Sequence, residues 1–412
     1  MSDAESVSIS RRWILPVTLS AIVGVILLAT VASMLLLWPQ SGQVSPAAHS
    51  SGAEGTIVTA RVSSSEPVAC ADDGMPQAEV TAPEGGAECT VVRATLPVGE
   101  TVTFTLDDRQ SAQRPPREGD TVKLVEYAPQ SMPDAKPTYA FYDYPRGAPM
   151  VFVALAFVVI VIAVGRWRGA LSLVGVAIAI ALLVTFVLPA ILAGKPPVLV
   201  ASVGSIGIMI VVLYLAHGVS HRTTAALFGS VFGILFTAVA GLWVTRWLRF
   251  TGIGSTEDTI LMVAIPGLRM SDLLTATIVI AGLGVLNDIT VSQASAVWEM
   301  RALNPHLSKR RIYASAMRVG RDHIASSIYT LVFAYTGSML VVLLLLYTYP
   351  RDLLELITSE QIAQEVIRTL IGATGLVLAM PVTTAFSVLF SKAPSHIDLE
   401  ADSPPAALRH GH

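Results

Sequence analysis

A carboxylate and an amide stand side by side at the end of an apolar run. The run TATIVIAGLGVL leads directly into Asn287 and Asp288. On a helix each residue advances by about 100°, so Asp288, Ser292, Ser295 and Glu299 share one side while Asn287 points elsewhere. An ionisable side chain inside a bilayer is costly and is a functional candidate by default. The pattern predicts that Asp288 binds a cation or carries a proton.

Two later segments carry polar side chains that could complete such a site. Asp322 and Ser326 share one side of the next apolar helix. Thr383 follows Pro381 in the last one, where a hydroxyl can satisfy a carbonyl freed by proline. We expect the three segments to line one polar pathway. Its predicted residues are Asp288, Asn287, Ser292, Ser295, Asp322, Ser326 and Thr383.

Two structural alternatives to a pathway stay open. The polar side chains could form interhelical hydrogen bonds that only hold the helices together. Asp288 could instead lie near the membrane interface and pair with Arg318 or Arg321. Its position just before a basic loop favours this second alternative.

The composition of the chain is that of a membrane protein. Of 412 residues, 53% are hydrophobic and only 14% are charged, whereas a soluble domain is about one quarter charged. The net charge of -3 does not indicate a nucleic-acid partner. Motifs for ATP hydrolysis, zinc proteolysis and serine hydrolysis do not occur in the sequence. We therefore expect a protein that is not an enzyme and holds neither a cofactor nor a metal.

Hydropathy predicts an α-helical polytopic protein with about 8 transmembrane helices. They lie at 14–38, 149–164, 170–192, 198–217, 223–244, 273–296, 324–346 and 366–390. The 25-residue apolar stretch of the first exceeds the roughly 7–15 residues of a signal peptide and favours a retained anchor.

The positive-inside rule places both termini in the cytoplasm, starting from Arg11 and Arg12. Arg246, Arg249 and Arg269 fall on the opposite side and do not follow the rule. The predicted domains are a cytoplasmic N terminus with a signal-anchor helix (1–39), an extracytoplasmic β domain (40–147), a seven-helix membrane domain (148–391) and a cytoplasmic tail (392–412).

The segment between the first two helices has the texture of a small all-β domain. GTIVTARV, AECTVVRATL, ETVTFTL and DTVKLVEY alternate or are rich in Val and Thr, with turn residues between them. They predict about five strands in an OB-like barrel or a sandwich. Cys70 and Cys89 both lie here, and an oxidising compartment favours a disulfide between them over two free thiols.

Two further patterns indicate structure rather than chemistry. Small residues recur every four positions from Ala225 to Gly241, which suits tight helix packing. The sequence STED at 255–258 predicts a capping box that opens a short helix ending at Pro266.

Three blocks of the sequence carry a resemblance to a known family. They are YAFYDYPRG at 139–147, GLGVLNDITVSQASAVWEM at 282–300 and GRDHIASSIYTLVFAYTG at 320–337. With them the chain resembles the YibE/F family of bacterial multi-spanning membrane proteins, in the YibE-like form. Asn287 departs from the less polar residue expected before Asp288. The resemblance implies a protein of the bacterial cytoplasmic membrane and leaves its activity open.

These observations lead to three hypotheses about function. The first is a secondary transporter or permease for a small solute or ion. The second is an envelope assembly, sensing or scaffold protein whose β domain binds a protein partner. The third is an intramembrane enzyme that uses Asp288 and Asp322 as a carboxylate pair.

Overall fold

The computed structural model describes residues 21–39, 55–70, 88–107, 110, 114–127, 137–348 and 352–391. These residues form two compact units, one within 49–161 and one within 1–48 and 162–412. The predictions about Arg11 and Arg12 and about the tail 392–412 lie outside the described residues.

Five strands form the first unit: β1 (Gly55–Ala69), β2 (Glu88–Thr95), β3 (Thr101–Leu106), β4 (Thr121–Tyr127) and β5 (Thr138–Asp143). They pair antiparallel throughout, in the order β3-β2-β1-β4-β5. The first four contain the four segments that alternation predicted. In β3, for example, Val102, Phe104 and Leu106 are buried while the residues between them are exposed.

The sheet curls into a half-barrel around one apolar core. Phe104 of β3 and Phe141 of β5 lie on opposite edges of the strand order, yet their ring centroids are 6.1 Å apart. The core between them includes Val92 and Leu124, both fully buried. Cys70, just after β1, and Cys89 in β2 form a disulfide.

The helical elements follow in chain order. They are α1 (Ala21–Leu37), α2 (Gly147–Leu182), α3 (Leu188–Leu192), α4 (Pro197–His217), α5 (His221–Trp247), α6 (Thr256–Ala264), α7 (Met270–Ala281), α8 (Leu283–Leu303), α9 (Lys309–Ser338), α10 (Leu340–Tyr347), α11 (Leu353–Thr358) and α12 (Glu360–Phe390). A π-helical turn, Leu183–Val187, joins α2 to α3.

In the described part of the chain, five helical segments are long and apolar enough to cross a membrane, and a sixth crossing results if α9 and α10 count as one bent span. The molecule is therefore mostly helical and embedded in a membrane. The difference from the predicted eight has two sources. Gly147–Leu192 is one helical segment where hydropathy predicted two, and α1 has only 17 described residues. A break in helical geometry at Arg166 (φ 52°, ψ -137°) divides the long segment.

At the centre of the helical unit, α5 packs against α12, α8 and α7. A Cβ atom on Gly229 would collide with Thr383, and one on Gly233 would collide with Leu286. The small residues of α5 thus allow helix backbones to approach closely, which confirms the packing role predicted from their four-residue repeat.

Candidate functional site

Three of the four predicted polar residues of α8 lie on the side of the helix that faces away from the bundle. Asp288 is exposed, and Ser292 and Ser295 are partly exposed. Ser295 donates a hydrogen bond to the carbonyl of Val291 in its own helix. Asn287 points toward the bundle, where its side-chain oxygen is buried without a hydrogen-bond partner among the described residues.

The other predicted residues do not join Asp288. Asp322 and Ser326 of α9 are exposed, and Ser326 donates to the carbonyl of His323 in its own helix. Thr383 of α12 is fully buried and donates to the carbonyl of Ala379. The structure thus places the predicted residues on outer and inner sides of their helices. A common pathway through them stays a prediction, and the geometry favours a different site.

A buried interhelical hydrogen-bond network involves residues of α8 that the sequence patterns did not indicate. Gln293 is only 1% exposed. Its amide nitrogen donates to the carbonyl of Ala316 in α9 over 3.0 Å and to Thr384 Oγ1 in α12 over 2.8 Å. One turn away, Thr290 and Ser230 of α5 share a hydrogen bond of 2.9 Å. These contacts hold α8 to three neighbours, and they match the structural alternative for the polar residues of this segment.

A polar cavity lies at the end of the bundle where α5 ends and α12 begins. We call it the Arg368 cavity; its volume is about 250 Å³. Apolar residues of α7 and Met339 form part of its wall. Its polar lining consists of Ser255, Asp258, Thr277, Gln361, Gln364, Glu365 and Arg368.

An acidic side chain at the start of α12 fixes one wall of this cavity. Glu360 Oε1 accepts hydrogen bonds from the backbone N–H and hydroxyl of Thr251, from the N–H of Gly252 and from Gln364, at 2.7–3.0 Å. Gly252 has a φ of +81°, and a Cβ there would collide with the backbone of Met270. Glycine is therefore required where this loop meets α7.

A short helix, α6, lines the cavity at its N-terminal end. The Ser255 hydroxyl accepts from the backbone N–H of Asp258, and the Asp258 carboxylate accepts from the N–H of Ser255. This is the predicted capping box, and it confirms that Asp258 caps the helix. The same carboxylate also accepts from the N–H of Gly254.

An ion pair inside α12 supplies the charge of the cavity. Arg368 Nη1 lies 2.6 Å from Glu365 Oε1, and each side chain is 21% exposed. Arg368 Nη2 donates to Thr277 Oγ1 of α7 over 3.3 Å. Among the described residues, Arg368 Nε is buried and has no hydrogen-bond partner. The guanidinium is thus held by a carboxylate and a hydroxyl, and its buried Nε donor is unused.

Met339 and Glu365 also line a second, mainly apolar cavity of about 270 Å³. Tyr335 and Val332 of α9, Leu343 of α10 and residues of α12 complete it. Met339 is the residue at which α9 and α10 bend by 62°. The bend therefore lies between a polar and an apolar cavity.

The sequence did contain a signal for this site. Glu365 and Arg368 stand three residues apart in EVIRTL, and Arg368 falls inside the predicted last span, 366–390. Hydropathy averaged over a window hides a single charge among apolar neighbours, so neither residue was singled out.

One of the three arginines that did not follow the positive-inside rule has a partner. Arg269 forms an ion pair of 2.5 Å with Asp272, which is only 7% exposed, in the first turn of α7. Arg269 is therefore held at this end of the bundle by a local carboxylate.

Comparison with known proteins gives one family match. A family model described as YibE/F-like protein matches residues 153–393 of the chain. No curated protein and no solved structure matches it. The matched range contains every helix from α3 to α12 and therefore the whole Arg368 cavity.

Proposed function

The chain belongs to the YibE/F-like family, and we propose that it is a membrane permease whose solute binds in the Arg368 cavity. The observation that carries the proposal is the Glu365–Arg368 ion pair, set in an apolar helix and beside a polar cavity. Charged side chains within membrane helices mark substrate or ion pathways more often than they serve packing alone.

The chemistry of the cavity favours a small solute with polar groups. Arg368 Nε is a buried donor without an acceptor, which costs about 1–3 kcal/mol. A carboxylate, phosphate or carbonyl oxygen near the guanidinium would supply the missing acceptor. Glu365 could receive an amine in turn, and the amides of Gln361 and Gln364 offer both donors and acceptors.

A broken helix beside the cavity supports a transport role. The α9–α10 pair bends by 62° at Met339, which lines the cavity. Discontinuous helices next to the binding site are common in secondary transporters, where they supply backbone groups and hinges. A change in the bend at Met339 would alter the polar and the apolar cavity together.

We also propose the full topology that hydropathy predicted, with eight crossings and both termini in the cytoplasm of a bacterial cell. Gly147–Leu192 would measure about 69 Å as one straight helix, more than twice the roughly 30 Å hydrocarbon core. The break at Arg166 supports two crossings instead. In this topology the Arg368 cavity opens toward the outer surface.

The test is solute flux in liposomes that contain the purified protein. A panel of labelled carboxylates, phosphate, amino acids and amines is presented with and without a pH gradient. We expect at least one class to enter faster than into protein-free liposomes. If no class enters faster and none raises the melting temperature of the protein, the permease proposal is wrong.

A second function is favoured by a groove on the half-barrel. It has a volume of about 740 Å³ and is lined by charges of both signs, among them Arg114, Asp120, Asp143 and Arg146. Such a groove suits a protein or peptide partner of complementary charge in the cell envelope. Crosslinking in cells should then capture one partner, and deletion of residues 40–147 should abolish its capture. A cellular phenotype that survives this deletion would contradict the second function.

A further inference from the structure

The outer sides of α8 and α9 are unusually polar for helices in a membrane. On α8, Leu286, Thr290 and Gln293 are buried, and the opposite side carries the exposed Asp288 and Glu299. These outer sides, which we call the α8–α9 face, carry charges of both signs. In the stretches 288–299 and 318–322, which form the face, the charged residues are Asp288, Glu299, Arg318, Arg321 and Asp322, all of them exposed.

Helix α9 contributes the basic residues of this face. Its buried residues, including Ala316, Gly320 and Leu331, pack toward α8 and α12. Arg318 and Asp322 are one helical turn apart on the exposed side. Within the described residues, no ion pair joins any charged group of the α8–α9 face to another residue.

Two of these charges, Asp288 and Asp322, lie level with the interior of helices α5 and α12. Asp288 is two residues, about 3 Å along the axis, from Thr290, which hydrogen-bonds to Ser230. Ser230 is in the interior of α5, about 13 Å from its first residue and about 25 Å from its last. Asp322 is likewise two residues from Gly320, where a Cβ would collide with Met380 of α12.

Carboxylates and guanidinium groups at this depth are unfavourable against lipid, so something polar must cover them. The presence of both acidic and basic side chains indicates which molecule contacts this face. A surface that bears Asp and Arg side by side is complementary to itself when a second copy is related to it by a two-fold axis. A partner of one charge sign would leave either the acids or the bases uncovered.

We propose that the α8–α9 face is the contact between two copies of this chain. The acidic groups of one copy, Asp288 and Asp322, neutralise the arginines of the other, Arg318 and Arg321. The dimer contact is separate from the Arg368 cavity, so the dimer can exist whether or not the protein is a permease.

Cysteine crosslinking tests the location of the contact. Both native cysteines are joined in one disulfide, so a disulfide between two copies can be assigned to the single added cysteine. Ser326→Cys lies on the proposed face, whereas Val239→Cys on α5 is an equally exposed control elsewhere. Oxidation in native membranes should give a disulfide dimer with Ser326→Cys and none with Val239→Cys. Equal crosslinking at both positions, or none at Ser326→Cys, would overturn the proposal.

Charge complementation tests the nature of the contact. Asp322→Arg makes the stretch 318–322 of α9 wholly basic, and the double change Arg318→Asp with Arg321→Asp makes it wholly acidic; either variant also removes pairing within this stretch. Differently tagged copies of the two variants, produced together, should co-purify at least about tenfold more than either variant does with itself. Equal recovery, or recovery of a different membrane protein in place of the second copy, would contradict a dimer of this chain.

Discussion

Arg368 and Glu365 form an ion pair inside α12, with 2.6 Å between Nη1 and Oε1, while Thr277 accepts a second hydrogen bond from the guanidinium. The pair thus connects α12 to α7 at the edge of a polar cavity. It also leaves Arg368 Nε without a partner in the described structure. An arrangement that satisfies the whole guanidinium requires a further acceptor, which is what a solute in the cavity would provide.

The packing of α5 against α12 predicts unequal effects of two glycine substitutions. Gly229→Ala places a methyl group against Thr383 and should destabilise the protein by about 1–3 kcal/mol. Gly372→Ala is the matched control, because its Cβ meets nothing within 4 Å. Thermal unfolding in detergent measures both. Equal melting temperatures for the two variants would contradict the described packing.

A variant that lacks the hydrogen bonds of Gln293 should be less stable than wild type. Gln293→Leu keeps the volume but removes hydrogen bonds to Thr384 and to the carbonyl of Ala316, so it should cost about 1–2 kcal/mol. Thr374→Val removes a hydroxyl that bonds only within its own helix and serves as the control. Thermal unfolding is again the measurement. A Gln293→Leu variant as stable as the control would show that the network is dispensable.

The half-barrel should be less stable when its disulfide is reduced. Cys70 and Cys89 are 19 residues apart, and opening a loop of this length should cost about 3 kcal/mol. Limited proteolysis of the full chain, with and without reductant, measures the effect. The variant with both cysteines changed to alanine should be cleaved as quickly as the reduced wild type. No difference between oxidised and reduced wild type would contradict the prediction.

The half-barrel also predicts a pH-dependent contact at the end of β5. The backbone N–H of Tyr144 and the guanidinium of Arg146 hold the pKa of Asp143 below its ordinary value of about 3.9. Because the folded-state pKa is lowered, the contact stabilises the fold above about pH 4, and this is lost as the pH falls through the lower value. Arg146→Gln should raise the Asp143 pKa in an NMR titration of the carboxyl carbon, and Arg117→Gln should leave it unchanged. An unshifted pKa in Arg146→Gln would exclude the contact.

Local patterns in the sequence were sufficient for much of the fold. Alternation of apolar and polar residues predicted β1 to β4, and a capping box predicted α6. A four-residue repeat of small residues predicted the packing side of α5. Each of these depends on neighbours in the chain. The family was found in the same way, from three blocks that lie mostly within the matched range.

The site was not predicted, because burial depends on helices that are distant in sequence. Asp288 and Gln293 are five residues apart on α8, and nothing local indicates that Gln293 faces α12 while Asp288 faces outward. Arg368 was hidden for a different reason, since its apolar neighbours satisfy a hydropathy window. The break at Arg166, by contrast, falls between the two spans that hydropathy predicted, 149–164 and 170–192.

The most direct test of the permease account is a comparison of solute uptake by three proteins in liposomes. Arg368→Gln removes the positive charge that lines the cavity, and Arg246→Gln makes the same change at an exposed arginine at the end of α5. With the solute class that wild type transports, uptake by Arg368→Gln should fall by at least about tenfold, the loss expected for a charged hydrogen bond. Uptake by Arg246→Gln should equal that of wild type. Wild-type uptake by a folded Arg368→Gln variant would contradict the assignment of the Arg368 cavity as the solute site.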